Sequence, residues 1–198
     1  MNRAAPLSRK FRFAISGTHL TGKTTLCHDV VARLLRRGYA VSLALEPSRI
    51  SRYLAGGSRG HMTQLELFAG TIAAEVEALR SAEIVICDRS LLDVLAYTDA
   101  LSIDLSRHKE VLAQAMSAFS ELYIPTYDMI FRPAWRFSMV DSVDPLREEG
   151  DALQEYIDQR ICHHAERIGV GLINLGDPNS AAAEIEDRVI SIVELAAK

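Results

Sequence analysis

Between Phe11 and Arg37 the chain reads FRFAISGTHLTGKTTLCHDVVARLLRR, and this stretch leaves few folds open. Residues 11–16 alternate apolar and polar side chains, as a strand does. Gly17 to Thr24 then reads GTHLTGKT: a glycine, four variable residues, and Gly-Lys-Thr. Leu26, Val30, Val31, Leu34 and Leu35 follow at helical spacing, and Gly38 is placed to end the helix. A strand feeding a glycine-bounded loop at a helix N-terminus is a phosphate-binding arrangement. Backbone N–H groups and the helix dipole face the anion, the lysine adds charge, and the threonine hydroxyl serves a magnesium ion. Residues Gly17, Thr18, His19, Leu20, Thr21, Gly22, Lys23, Thr24 and Thr25 are therefore the nucleotide-binding candidates. The His19 side chain is expected to point to solvent and receives no role. The duller reading is a glycine-rich turn that binds nothing, and the flanking strand and helix argue against it.

Bulk properties narrow the setting. The 198 residues are enough for one domain with a full core, and the expectation is a single domain over 1–198. Twenty-two basic side chains against 26 acidic ones give a net charge of −4, which does not suit a general nucleic-acid binder. No apolar run is long enough to span a bilayer, and the basic start MNRAAPLSRK is not followed by a signal-type apolar segment. Cys27, Cys87 and Cys162 are odd in number and far apart, so they read as reduced thiols of a cytoplasmic protein. Cys162-His163-His164 lies in a predicted helix where neighbours diverge, and no second cluster completes a zinc set.

Strands and helices alternate along the rest. Strands are expected at 39–45, 83–87, 127–131 and 171–175. Helices are expected at 63–80, 91–101, 106–122, 151–168 and 180–197, with a glycine-rich loop at 51–60 and a polar segment at 137–150. Thr63 is the expected cap of the long helix, and Leu65, Phe68, Ala69, Ile72, Val76 and Leu79 its buried face. This alternation predicts an α/β fold, a mostly five-stranded parallel sheet between two helical layers. Ligands of such sheets sit at the carboxyl ends of the strands. Glu46-Pro47-Ser48-Arg49 follows the second strand, Asp88-Arg89-Ser90 the third, and Arg132-Pro133 with Trp135 and Arg136 the fourth.

With GTHLTGKTT, LEPSR, DRS and PLREE in this order, the chain resembles the P-loop nucleoside and nucleotide kinases from about Phe11 to Leu175. Deoxyribonucleoside and thymidylate kinases carry Glu-Pro after the second strand, an acid-Arg pair after the third, and an Arg-bearing lid. The chain also looks like the nicotinamide riboside kinase domain and related ATPase-like kinases. It departs from the first group in having Asp88 where Glu is usual, and from the second in having Ser90 where an aromatic is usual. The resemblance implies a P-loop NTPase three-layer sandwich that transfers the γ-phosphoryl group of ATP to a nucleoside- or nucleotide-like acceptor. It places Lys23 on the β- and γ-phosphates, Thr24 and Asp88 on magnesium, Glu46 at the acceptor hydroxyl, and Arg89 and Arg147 on the transferred charge. Segment 137–150 would be the lid.

Each assignment has a plainer alternative. Glu46 can be a surface acid, Asp88 a cap for the helix at Leu91, and Arg147 a solvated arginine. Arg49 is a further acceptor contact. Gln64, Tyr53, Phe68, Tyr97 and Trp135 are candidates to read or stack on an acceptor ring, although Phe68 also fits the core stripe. Two other classes stay open. One is an ATPase or nucleotide switch with water as acceptor, disfavoured because the third strand ends in Asp88-Arg89 rather than two acids, and because no Asn-Lys-x-Asp guanine reader is present. The other is a module that binds nucleotide without turnover, which intact Lys23, Thr24 and Asp88 disfavour. The acceptor is the one expected small-molecule partner, nucleic acid and membrane are not, and a homodimer stays open.

Overall fold

The computed structural model describes residues 9–57, 60–100, 107–137 and 151–196. Five strands, β1 (Phe11–Ile15), β2 (Val41–Ala44), β3 (Ile84–Asp88), β4 (Met129–Pro133) and β5 (Leu172–Leu175), form one sheet in the order β2-β3-β1-β4-β5. Every pairing is parallel. Between the strands run α1 (Lys23–Arg36), α2 (Arg52–Ala55), α3 (His61–Ser81), α4 (Leu91–Ala100), α5 (Arg107–Tyr123), α6 (Asp151–Ile168) and, after β5, α7 (Ala181–Ala196). This is the three-layer α/β sandwich that the sequence predicts.

Alternation along β1 sorts the two cores. Phe11, Phe13 and Ile15 face a cluster built with Leu26, Val30 and Leu34 of α1 and Ile185, Val189 and Val193 of α7. Ala14 faces the other cluster, built with Phe68 of α3, Leu91, Leu92 and Leu95 of α4, Met116 of α5 and Ile157 and Ile161 of α6. Both faces of the sheet are thus covered, and every residue of β1 is buried.

Arg12 is the costly member of that strand. Its guanidinium is buried against α3, where Nη1 donates to Glu75 Oε2 at 2.7 Å. Tyr123 and Tyr127 place their rings beside it, at 4.4 and 4.7 Å from its central carbon. Their hydroxyls both donate to the same Glu75 carboxylate, at 2.9 and 2.5 Å. Two charges leave water here only because each finds an opposite charge and further hydrogen bonds.

Glu75 also corrects the expected face of α3. Val76 and Ala69 are exposed, whereas Gln64, Phe68, Thr71, Glu75 and Ala78 are buried. Phe68 is buried and Ile72 and Leu79 pack partly buried on the same cluster as expected, while paired polar groups take the place of Ala69 and Val76. The cap differs as well. Gly60 precedes the helix, and Thr63 is buried inside the first turn. Segment 51–60 is not simply a loop: Ser51 Oγ accepts from Leu54 N at 3.2 Å and caps α2. The fourth strand starts two residues late, because residues 124–126 form a 3-10 turn first.

α3 also passes close under the residues that follow β2. A Cβ added at Gly70 would lie 2.9 Å from Cβ and 3.2 Å from Cγ of Pro47, the residue directly after Glu46. Gly70→Ala would raise helix propensity by about 1 kcal/mol in an isolated helix. Overpacking against a rigid ring costs about 1–3 kcal/mol, so the contact should win. The variant is expected to lose stability in urea unfolding; a gain would mean that the Pro47 turn yields freely.

Candidate functional site

The loop from Gly17 to Gly22 joins β1 to α1, and its ends are fixed by parallel pairing. Ser16 N donates to Phe131 O of β4, and Arg89 N, just past β3, donates to Ile15 O. Gly22 enters α1 with φ 72°, a left-handed conformation that a side chain would strain. Its outer face lies against the Phe137 ring. Thr21 Oγ1 donates to Thr18 O at 3.0 Å and tightens the turn. From outside, the Trp135 indole donates to Thr21 O at 3.0 Å, and Phe137 N to Leu20 O at 2.8 Å. Trp135 therefore holds the loop through its indole N–H.

Lys23 is buried at the start of α1. Its Nζ donates to Thr18 O at 2.5 Å and lies 3.3 Å from Thr21 Oγ1, so the loop folds around its own lysine. Burial, then the neighbouring Arg89, lower its pKa to about 8, against the pull of Asp93, Glu46 and Asp88.

Thr24 and Asp88 meet across the β1–β3 pair, where Thr24 Oγ1 donates to Asp88 Oδ2 at 2.7 Å. Asp88 Oδ1 is buried and receives no hydrogen bond from the protein. Burial raises the Asp88 pKa, with Glu46 adding to the shift and Thr24 opposing it. A buried carboxylate oxygen with an open lone pair beside a threonine hydroxyl suits a hard cation that keeps most of its waters, as magnesium does. Among the described residues no cluster of three or more His, Cys, Asp and Glu is placed to hold a metal. Asp88 is not the helix cap. Ser90 Oγ accepts from Leu92 N at 3.1 Å, and Asp93 accepts from Ser90 N at 2.9 Å.

Glu46 is not a free surface acid. Arg89 Nε lies 2.5 Å from Glu46 Oε1, a close ion pair, and both side chains are largely buried. Burial pushes the Glu46 carboxyl up, but Arg89 and the Ser48 hydroxyl outweigh it and hold it below the usual carboxylate range. Arg89 itself has φ 81°, rare for a residue with a side chain. Its guanidinium reaches Glu46, lies 3.4 Å from Asp93 Oδ1, and stands 5.2 Å over the Tyr97 ring.

Asp93 was not legible as a site residue. It is buried and accepts from Gly17 N at 3.0 Å, which ties α4 to the first residue of the loop. The signal was Ser90-Leu-Leu-Asp93, a capping-box pattern before an apolar run. His19 also differs from expectation: its Nδ1 is 3.1 Å from the Tyr97 hydroxyl, facing α4. Gln64 is buried in α3 with Thr98 Oγ1 3.5 Å from its Oε1, Phe68 is packed edge-on to Phe119, and Tyr53 is exposed on α2. The structure thus brings together Lys23, Thr24, Glu46, Asp88 and Arg89. Thr25 is exposed in the first turn of α1. Arg147, segment 138–150 and the Arg49 side chain lie outside the described residues.

The depressed Lys23 pKa makes a signed prediction. Between pH 8 and 10.5 the folded lysine has lost a proton that the unfolded lysine keeps, so the unfolded state binds more protons and stability rises with pH there. Lys23→Met should flatten that rise in denaturant midpoints taken across this range. Bound nucleotide should flatten it in the wild type, because phosphate restores the charge. Equal slopes in the free wild type and variant would show that Lys23 is not so perturbed.

Comparison with known proteins agrees with the geometry. Two solved structures share the fold, one of a NadR protein in complex with NR and one of a NadR protein in complex with NAD and AMP-PNP. TM-scores are 0.63 and 0.67, each at 17% identity, and 93% of this chain is covered in both. The chain spans about half their length, 52% and 50% respectively. No curated protein matches the sequence. The model of a family described as AAA domain matches residues 12–182, from the buried arginine of β1 into α7, and so spans the loop, Glu46, Asp88 and Arg89. The chain belongs to this AAA-domain family and has a P-loop nucleotide-binding fold like that of the nucleoside and nucleotide kinases it resembles.

Proposed function

We propose that the protein is an ATP-dependent phosphotransferase acting on a small nucleoside- or nucleotide-like acceptor. The observation that carries this reading is the Glu46–Arg89 pair, held beside Lys23 and Asp88 at the carboxyl end of the sheet. Glu46 follows the edge strand β2 and Arg89 follows β3, so a carboxylate and a guanidinium meet beside the phosphate loop. A pair so placed would serve a hydroxyl acceptor through its carboxylate and the transferred phosphoryl group through its guanidinium. The named structural neighbours, one holding NR and the other NAD with AMP-PNP, are consistent with a nucleoside-like acceptor and ATP as donor.

Phosphoryl transfer is mostly positioning and charge neutralisation. Loop N–H groups would cradle the β- and γ-phosphates, and Lys23 would leave Thr18 O for their oxygens. Thr24 and Asp88 would hold magnesium, which would supply charge neutralisation to the phosphates. Glu46, kept ionised by Arg89, would accept or orient the proton of the attacking hydroxyl as the new O–P bond forms and the β–γ bond breaks. Arg89 would share its charge with the phosphoryl group in flight. Arg147 and segment 137–150 would close over the phosphates. The free cysteines fit a reducing compartment such as the cytoplasm.

The AAA-domain family supports a second reading, an ATPase or nucleotide switch with water as acceptor. An ADP-release assay with nucleosides, nucleoside monophosphates and nicotinamide riboside separates the two, since stimulation by an acceptor is expected only for the transferase. Two substitutions then divide the roles. Glu46→Gln should leave ATP binding nearly unchanged and cut acceptor phosphorylation roughly a hundredfold, the scale of a lost general base. Asp88→Asn should weaken magnesium dependence and damage all turnover. Normal transfer by Glu46→Gln would favour an ionised phosphate acceptor, which needs no base.

A further inference from the structure

Tyr97 stands between two parts of the site. On one side its hydroxyl lies 3.1 Å from His19 Nδ1, in the middle of the phosphate loop. The same nitrogen lies 3.4 Å from Thr18 Oγ1, and the Thr18 carbonyl receives the Lys23 ammonium at 2.5 Å. On the other side the Tyr97 ring carries the Arg89 guanidinium, which is paired with Glu46. Both routes begin on α4, the helix whose first turn also holds Gly17 through Asp93. A phenylalanine would fill the same space and keep the cation–ring contact. It would lose the polar link from α4 to His19 in the variable part of the loop, so the hydroxyl has a task that packing does not explain.

We propose that Tyr97 is a positioning residue that sets the phosphate loop and the acceptor-side charge pair in register, through its hydroxyl on His19 and its ring under Arg89. The proposal rests on the phosphotransferase reading for its kinetic consequences, and on geometry alone for the array itself. Tyr97 touches neither reacting phosphate nor acceptor in this scheme. It fixes the side chains and the carbonyl that do.

The array is tested first without turnover. The His19 ring resonance, assigned with His19→Gln, should move in Tyr97→Phe at one fixed pH, while the melting temperature stays near that of the wild type. Kinetics test the consequence. Tyr97→Phe should lower kcat about tenfold, the scale of one positioning hydrogen bond, with the KM for ATP changed by no more than about threefold. His19→Gln should do the same, and the double variant should be little worse than either single one, because both remove the same link. Tyr97→Leu should add a rise in acceptor KM by freeing Arg89. An unmoved His19 resonance, or losses that multiply in the double variant, would overturn the proposal. A wild type that no acceptor stimulates would remove the phosphotransferase reading instead, and the resonance would still decide whether Tyr97 holds His19.

Discussion

Five consecutive residue pairs join β1 to β3 in parallel, from Phe11 with Ile84 to Ile15 with Asp88, and the site depends on that register. Parallel pairing brings both carboxyl ends to one edge, so the loop that leaves β1 and the acid that ends β3 arrive together. The Thr24–Asp88 hydrogen bond is the direct result. A slip of β3 by one residue would turn Asp88 to the opposite face, away from Thr24. The Thr24–Asp88 bond fixes β3 against β1, and the Arg12–Glu75 pair fixes α3 against β1.

Charges of both signs crowd the carboxyl edge. Lys23, Glu46, Asp88 and Arg89 are each shifted by burial and by charged neighbours, and burial raises the stakes of every pairing. Arg89 is the hinge of the set. Its left-handed backbone aims the guanidinium back across the strand ends, where it reaches both Glu46 and Asp93. Strain of this kind persists where surrounding bonds over-determine a residue, and it is common at functional sites. A phosphate arriving at Lys23 would enter competition for these cations, which makes the Glu46–Arg89 pair sensitive to what the loop holds.

α4 ties the loop to the body of the fold. It begins at a capping box, and the acid of that box serves the loop as well as the helix. Further along, Tyr97 reaches His19 while the apolar side of α4 packs into the same cluster as α6. Asp99 near its end accepts from both Arg160 and His164 of α6, the latter at 2.7 Å. One helix thus connects the loop to the helix that follows the polar segment, through hydrogen bonds at three positions.

The strand, loop and first helix were legible because their signals are local: hydrophobic period, glycine placement and a lysine at a helix start. The parallel sheet followed from alternation of elements, and the carboxyl-edge rule then picked out Glu46, Asp88 and Arg89 without knowing their neighbours. What stayed hidden were interactions between residues far apart in sequence. Nothing near Glu75 says that Arg12 and two tyrosines will meet it, so the polar part of the buried face of α3 could not be read from its apolar residues. The Asp93 bond to Gly17 and the His19 contact with Tyr97 exist only once α4 is packed against the loop. Local chemistry determined which elements form and which residues can bind phosphate. Tertiary packing decided which charges are paired, because a buried ion pair is fixed by the approach of two elements and not by the sequence of either.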